Sequence, residues 1–187
     1  HWIGGMGVLV FLLAVLPLSG GSRFHLMRVE SPGPSVGKLV PKLRQTARIL
    51  YFIYIGLTAM QILFLLAGNM PLFDSLTITF GTAGTGGFGI KNDSMASYSP
   101  YIQWVTTVFM LLFGINFNAF YFLLLGQLRK LLHMEEVRCY LLILLASKAV
   151  AAVNIYNTAA GAATSIREAA FQVVSIMTTT GYTTTNF

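Results

Sequence analysis

The sequence predicts an all-α membrane protein built from repeated helix–re-entrant loop–helix units. Three observations predict it: a shortage of charge, uncharged stretches of bilayer length, and a Gly/Thr-rich segment that recurs at a fixed spacing. Of 187 residues, 55% are hydrophobic and only 10% are charged, with a mean hydropathy of +0.70. Soluble domains carry about 25% charged residues. A water-soluble fold this poor in charge lacks the polar surface to cover itself. That excludes a cytosolic enzyme domain, a disordered tail and a nucleic-acid-binding module.

The net charge is +6, from 12 Lys and Arg against 6 Asp and Glu, and its distribution argues against a nucleic-acid partner. Arg23, Arg28, Lys38, Lys42, Arg44 and Arg48 share one segment; Arg129, Lys130 and Arg138 share another. Both segments separate long apolar stretches, which marks loops facing the cytoplasm. Cys139 has no partner for an internal disulfide and, before an apolar stretch, reads as a plain buried thiol in preference to a reactive one. The chain starts at His1-Trp2-Ile3 without Met or a signal-peptide n-region and ends at Phe187 inside a polar run. It is therefore expected to be a fragment of a longer polypeptide.

Residues 2–20 are uncharged and of bilayer-crossing length, so they predict a first helix. Gly4, Gly5 and Gly7 at its start fit close helix packing or a flexible start equally well. Residues 21–48, basic and broken by Pro32, Pro34 and Pro41, predict a cytoplasmic loop. Residues 49–68 carry no charge and predict a second spanning helix. Residues 100–128 are also uncharged and would make a helix of ~43 Å, which must tilt, break or project from a ~30 Å core. Loop 129–138 follows, then a fourth helix over 139–158 interrupted by Lys148. With both basic loops inside, 69–99 and 159–187 lie outside and hold only Lys91 and Arg167 as basic residues.

Those two outer segments repeat each other. In the first, Pro71 suits the first turn of a helix and Asp74 suits its positive end. A pore helix over 71–80 spans ~15 Å, half the core. Gly81-Thr82-Ala83-Gly84-Thr85-Gly86-Gly87-Phe88-Gly89 cannot continue a stable helix, so the chain returns extended over 83–89. In the second, Ser165-Ile166-Arg167-Glu168 reads as a capping box for a pore helix over 166–177, followed by an extended 178–183. A shift of 94 residues carries Asp74 onto Glu168, Thr85 onto Thr179, Gly87 onto Gly181, Phe88 onto Tyr182 and Asn92 onto Asn186. Ile49 falls on Ile143 by the same shift, so spacing, charge and residue type agree on an internal repeat.

Extended backbone at membrane depth is allowed only where it is buried in protein or lines a water-filled path. A half-helix aiming its C-terminal end at the bilayer centre favours a cation there. Strand carbonyls can replace a cation's hydration shell, Gly permits the backbone angles and Thr adds a hydroxyl. Neutral oxygens favour a weakly hydrated monovalent cation over Ca²⁺ or Mg²⁺. The expected ligands are the carbonyls of Thr85, Gly86, Gly87, Thr179, Thr180 and Gly181. Phe88 and Tyr182 complete the two motifs and are expected to pack behind the filter. The competing reading of Gly87 and Gly181 is as turn glycines; for Ala83 and Gly84 it is as the residues that finish the pore helix.

Other polar residues have plainer readings. Asn116 and Asn118 face a pore or hydrogen-bond a neighbouring helix, the second being preferred. Lys148 marks a site, a snorkelling side chain or a partner contact. Asp74 and Glu168 are first of all helix-start charges, with attraction of cations secondary. His1, His25 and His133 have no metal-ligand spacing.

Thr85-Gly86-Gly87-Phe88-Gly89 reads almost as the Thr-Val-Gly-Tyr-Gly filter of potassium channels, and Thr179-Thr180-Gly181-Tyr182 is a looser version. With two such copies, the chain resembles the Trk/Ktr/HKT superfamily of potassium transporters. Trp2-Ile3-Gly4-Gly5-Met6-Gly7 is similar to the start of the helix closing that family's first repeat. Ser31-Pro32-Gly33-Pro34, Thr46-Ala47-Arg48, Ile53-Tyr54 and Phe171-Gln172-Val173-Val174-Ser175 extend the resemblance over essentially the whole chain.

The resemblance implies four potassium-channel-like repeats around one pore. This chain would hold the last helix of repeat one (1–20), all of repeat two (49–128) and the first helix and pore loop of repeat three (139–187). It further implies potassium uptake across the plasma membrane, the bacterial inner membrane, by a multi-pass homodimer. A cytoplasmic nucleotide-binding regulatory subunit is the implied partner, alongside membrane lipid, with no cofactor beyond the transported potassium. Sodium or mixed permeation is the alternative within the family, since exchange of one filter Gly for Ser marks its sodium-permeable members. A non-permeating scaffold would not need Gly and Thr at repeated positions. An intramembrane enzyme would need carboxylate, His or Ser/Lys sets at membrane depth, and the sequence offers no convincing set.

Overall fold

The computed structural model describes residues 1–5, 7, 43–115, 119–120, 135–155 and 162–184, which are helical with no strand among them. Asn116, Asn118, His25, His133, Arg129, Lys130 and Asn186, and most of the segments 2–20 and 21–48, lie outside the described residues. In order, the helices are α1 (Trp2–Gly5), α2 (Leu43–Ala67), α3 (Leu72–Ala83), α4 (Pro100–Gly114), α5 (Glu135–Ile155) and α6 (Ala162–Met177).

Helix α2 starts earlier than the apolar run, because Leu43 to Arg48 are mostly good helix formers. Within it, Ala47–Ala67, with a mean hydropathy of 2.2, is the one helix among the described residues long and apolar enough to cross a membrane. Its end is a Schellman turn. Asn69 takes a left-handed φ of 59°, its N–H bonds Leu66 O at 3.0 Å and the Met70 N–H bonds Leu65 O at 3.2 Å. Pro71 follows as the N-cap of α3, so four residues, 68–71, separate the two helices.

Helix α4 departs from the single long helix expected over 100–128. It starts at Ser99, whose side chain accepts from the Ile102 N–H with Pro100 in the first turn, and it stops at Gly114. Ile115 is extended, at φ −78° and ψ 142°. Glycine weakens a helix by about 1 kcal/mol relative to Ala, and the β-branched residue after it restores nothing. The stretch therefore breaks, one of the three outcomes its length demanded.

Three further boundaries differ. Helix α3 runs to Ala83 instead of stopping at residue 80, so Gly81, Thr82 and Ala83 continue the helix and the non-helical run begins at its C-cap, Gly84. Helix α5 begins at Glu135 and places Glu136 in its first turn, where the positive helix end suits both carboxylates; it also contains Lys148 and Cys139, whose thiol is exposed and not buried as expected. Helix α6 begins at Ala162, so Ser165 is an interior residue, 1% exposed, and not the cap of a capping box. Ala162 and Ala163, strong helix formers, carry the helix past the expected start.

Helix α6 packs on α5 and α4, α3 packs on α2 and α4, and α1 lies across α3. The main core gathers Leu65, Met70, Ile78, Met95, Ile102, Met110, Phe171, Val174 and Tyr182, drawn from both halves of the repeat. A second cluster joins Tyr54, Ala83, Phe109 and Phe113, with Trp2 against it. Of the N-terminal glycines, Gly5 is the close-packed one. A Cβ there would lie 2.7 Å from Ala83 O and from the Tyr54 hydroxyl, whereas Gly4 has nothing within 4 Å. The Tyr54 hydroxyl donates to Trp2 O at 2.8 Å, and the Trp2 indole donates to Thr58 Oγ1 at 3.2 Å.

Candidate cation pathway at the ends of α3 and α6

Helices α3 and α6 end in the same way, bond for bond. Gly84 N–H reaches Phe80 O at 3.0 Å, and Thr178 N–H reaches Val174 O at 2.9 Å. Thr85 bonds Thr82 O and Thr179 bonds Ile176 O, both at 3.1 Å. Gly86 bonds Gly81 O at 2.8 Å and Thr180 bonds Ser175 O at 2.9 Å; Gly87 and Gly181 bond the same two carbonyls at 3.4 and 3.3 Å. Donor and acceptor in each second pair are 94 residues beyond those in the first.

The dihedrals repeat as well. Thr85 and Thr179 take φ of 50° and 57°, and Gly87 and Gly181 take 63° and 88°. A positive φ is routine for Gly but strained for a β-branched residue, by roughly 1–3 kcal/mol. The same strain appears in both copies, at the residue two before the glycine. Left-handed residues at alternate positions turn successive carbonyls of an extended strand toward one side, where an ordinary strand alternates them.

Carbonyl accounting separates two classes of oxygen. Thr178 O accepts from the Thr179 hydroxyl at 2.7 Å, and Tyr182 O accepts from the Ser175 hydroxyl at 2.7 Å. Phe88 O accepts from the Tyr182 hydroxyl at 3.4 Å, and Thr183 O accepts from the Met95 N–H at 2.9 Å. Among the described residues, no hydrogen bond reaches the carbonyl oxygens of Thr85, Gly86, Gly87, Thr179, Thr180 or Gly181. Thr180 is buried, Thr85, Gly86 and Gly87 are half-buried and Thr179 and Gly181 are exposed, so these unpaired oxygens are open to water or to a cation.

The two turns abut. A Cβ at Gly87 would lie 2.0 Å from Thr180 O, so Gly87 is required by both space and dihedral. The Tyr182 side chain crosses from the second copy into the first. Its ring is 1% exposed, and its hydroxyl donates to Ile78 O at 3.1 Å, in the space that a Cβ at Gly81 would fill at 2.3 Å. Behind the turns, the Gln61 amide donates to Thr82 Oγ1 at 3.1 Å, and the Gln172 amide to Thr184 Oγ1 at 3.2 Å.

Phe88 differs from the expectation that both aromatics pack behind the filter. It is 59% exposed and meets the His1 ring edge-on at 5.0 Å. Without a hydroxyl it has no carbonyl to seek, and its ring lies instead over Gly86, where a Cβ would touch it at 2.9 Å. Residue-type reasoning also missed Gly81 and Ser175. They were findable, because they occupy equivalent positions at the 94-residue spacing and both are small.

Beneath the second turn, Gly114 lets the end of α4 approach closely: a Cβ there would lie 2.6 Å from Thr178 Cγ2 and 2.8 Å from the Tyr140 hydroxyl. A cavity of about 210 Å³ opens there between Gly114, Ile115, Glu136, Val137 and Tyr140.

A family model described as "TrkH: Cation transport protein" matches residues 1–187. The chain belongs to this family. It is 35% identical over 192 residues to the "Trk system potassium uptake protein TrkH" of Salmonella typhimurium, covering 98% of this chain and 39% of that protein. The Trk system potassium uptake protein TrkI of Halomonas elongata is 30% identical, over 100% of this chain and 38% of that protein. This TrkH-family chain therefore spans about two fifths of those relatives. Its fold matches the crystal structure of the potassium transporter TrkH from Vibrio parahaemolyticus with a TM-score of 0.76 and 29% identity, over 98% of this chain and 37% of that one. A helical fold and a cation-transport family place the chain in a membrane.

Proposed function

We propose that this chain supplies two adjacent quarters of a potassium-selective filter in a multi-pass uptake protein of the bacterial plasma membrane. The observation that carries the reading is the pair of identical turns with six open carbonyls, at Thr85, Gly86, Gly87, Thr179, Thr180 and Gly181. Cations arriving from outside exchange hydration water for these oxygens and pass inward by mutual displacement between adjacent sites. Neutral carbonyls suit a weakly hydrated monovalent ion. Among the described residues no group of three or more His, Cys, Asp or Glu side chains is placed to hold a metal. Names of the relatives point the same way, as Trk system potassium uptake proteins.

Phe88 and Tyr182 belong to the filter as supports, Tyr182 through its hydroxyl. The cargo is potassium, with no resident cofactor, and the chemistry is transport, not catalysis. The complete protein is proposed to form a homodimer in lipid and to dock a nucleotide-binding regulatory subunit against its basic cytoplasmic loops.

The test is uptake of rubidium or potassium, with sodium in parallel, by the full-length protein in cells lacking other potassium uptake. Gly181→Ser is run beside the wild type, with surface expression measured. Wild-type potassium uptake and a lost preference over sodium in the variant are expected. A wild type that moves no alkali cation favours a membrane scaffold. An unchanged, well-expressed variant reduces Gly181 to a turn residue.

A further inference from the structure

Lys91 is three residues beyond Phe88 and is the one basic residue between the first turn and α4. Its loop is seated against the outer end of the second turn. Met95 N–H donates to Thr183 O at 2.9 Å, and Thr183 N–H donates to Ser94 Oγ at 3.1 Å. An ammonium free to swing from this loop stands beside the outer ends of both carbonyl runs, where it repels arriving cations.

The structure holds it elsewhere. Lys91 Nζ lies 4.1 Å from the centroid of the Tyr98 ring, a cation–π contact. The Tyr98 hydroxyl donates to Asp74 Oδ2 at 2.9 Å, and Asp74 occupies the first turn of α3, the end remote from the open carbonyls. Tyr98 is 8% exposed and packs in the main core. Its carbonyl accepts from the Gln103 amide at 3.2 Å. Ring and carboxylate are thus fixed, and the lysine is the movable part. Burial, then the Asp74 carboxylate, then Asp93, push the Tyr98 phenol above its ordinary range, so the ring stays neutral at physiological pH.

We propose that Tyr98 is a positioning residue that parks the Lys91 ammonium on the rim, so that carbonyls and carboxylates, not an ammonium, meet incoming cations. The inference rests on the cation pathway proposed above. Other charges near this outer face are Asp93 beside the lysine and the Arg167–Glu168 pair at 3.9 Å near the start of α6.

The test is rubidium uptake by the full-length protein across rubidium concentrations, at low ionic strength and again with an impermeant organic salt. The variants are Tyr98→Leu, Lys91→Gln and the two combined. Tyr98→Leu should raise the half-saturating concentration roughly threefold or more at low ionic strength while sparing the maximal rate. The rise should shrink as the screening length falls from about 30 Å at 0.01 M to about 8 Å at 0.15 M. Lys91→Gln should restore it in the double variant and leave the otherwise wild-type protein no worse. Where Tyr98→Leu fails to reach the membrane, Tyr98→Phe, which keeps the ring but loses the bond that ties it to Asp74, should show a smaller shift with the same rescue by Lys91→Gln.

A shift that Lys91→Gln does not rescue, or no shift at low ionic strength, overturns the positioning role. So does a higher half-saturating concentration in Lys91→Gln alone. A wild type with no rubidium uptake overturns the underlying pathway, and is told apart because no variant then matters.

Discussion

The turn after α3 and the turn after α6 share a backbone and differ in what surrounds it. Four hydrogen bonds and two left-handed residues coincide after a shift of 94. Gly87 is jammed against Thr180 O, whereas Gly181 has nothing within 4 Å. Tyr182 is buried and bonded to Ile78 O, whereas Phe88 is exposed. Position 81 is a glycine that leaves room for the Tyr182 hydroxyl, and its counterpart Ser175 uses its own hydroxyl to hold Tyr182 O. The comparison teaches that a repeated backbone need not mean repeated support. One aromatic of the pair braces both copies, and the residues equivalent to its socket and its tether have diverged to suit.

The sharpest way to break this comparison is at the two glycines. Gly87→Ala meets both a strained φ, worth roughly 1–3 kcal/mol, and a clash with Thr180, worth about as much again. It should abolish uptake, while Gly181→Ala, which meets strain alone, should retain part; uptake per surface-expressed molecule checks the order. Equal effects would mean that the close approach of the two turns does not matter.

Tyr182→Phe comes next. It removes the hydroxyl bridging Ile78 O and Phe88 O, a loss of about 1 kcal/mol in stability. Its larger expected consequence is a weaker preference for potassium over sodium, read from parallel uptake of the two ions. Ser175→Ala frees Tyr182 O from its tether and should shift that preference in the same direction by less. Phe88→Leu removes an exposed ring with no hydrogen bond and should change the preference least.

Much of this was legible in residue types. Glycine at a 94-residue spacing marked Gly87 and Gly181, whose positive φ few other residues accept, whereas the left-handed φ of Thr85 and Thr179 is strain that a β-branched residue type does not announce. The break at Gly114 was visible in Gly-Ile-Asn but masked by the uncharged run from 100 to 128, which composition alone reads as one helix. Ser165 misled because a capping box is a local pattern, and two alanines before it extend the helix with no loss of side-chain entropy. Phe88 and Tyr182 looked equivalent until three-dimensional neighbours distinguished a ring with a hydroxyl from one without. Close approaches such as Gly5 on Ala83 or Gly81 under Tyr182 join residues far apart in sequence, and no single-chain periodicity announces them.

The most direct test of the central account is to locate the cation. Crystals of the full-length protein grown with rubidium or thallium should show anomalous scattering peaks within coordination distance of the open carbonyls of Thr85 to Gly87 and Thr179 to Gly181. Peaks at the Asp74 and Glu168 carboxylates with none at those carbonyls would contradict it.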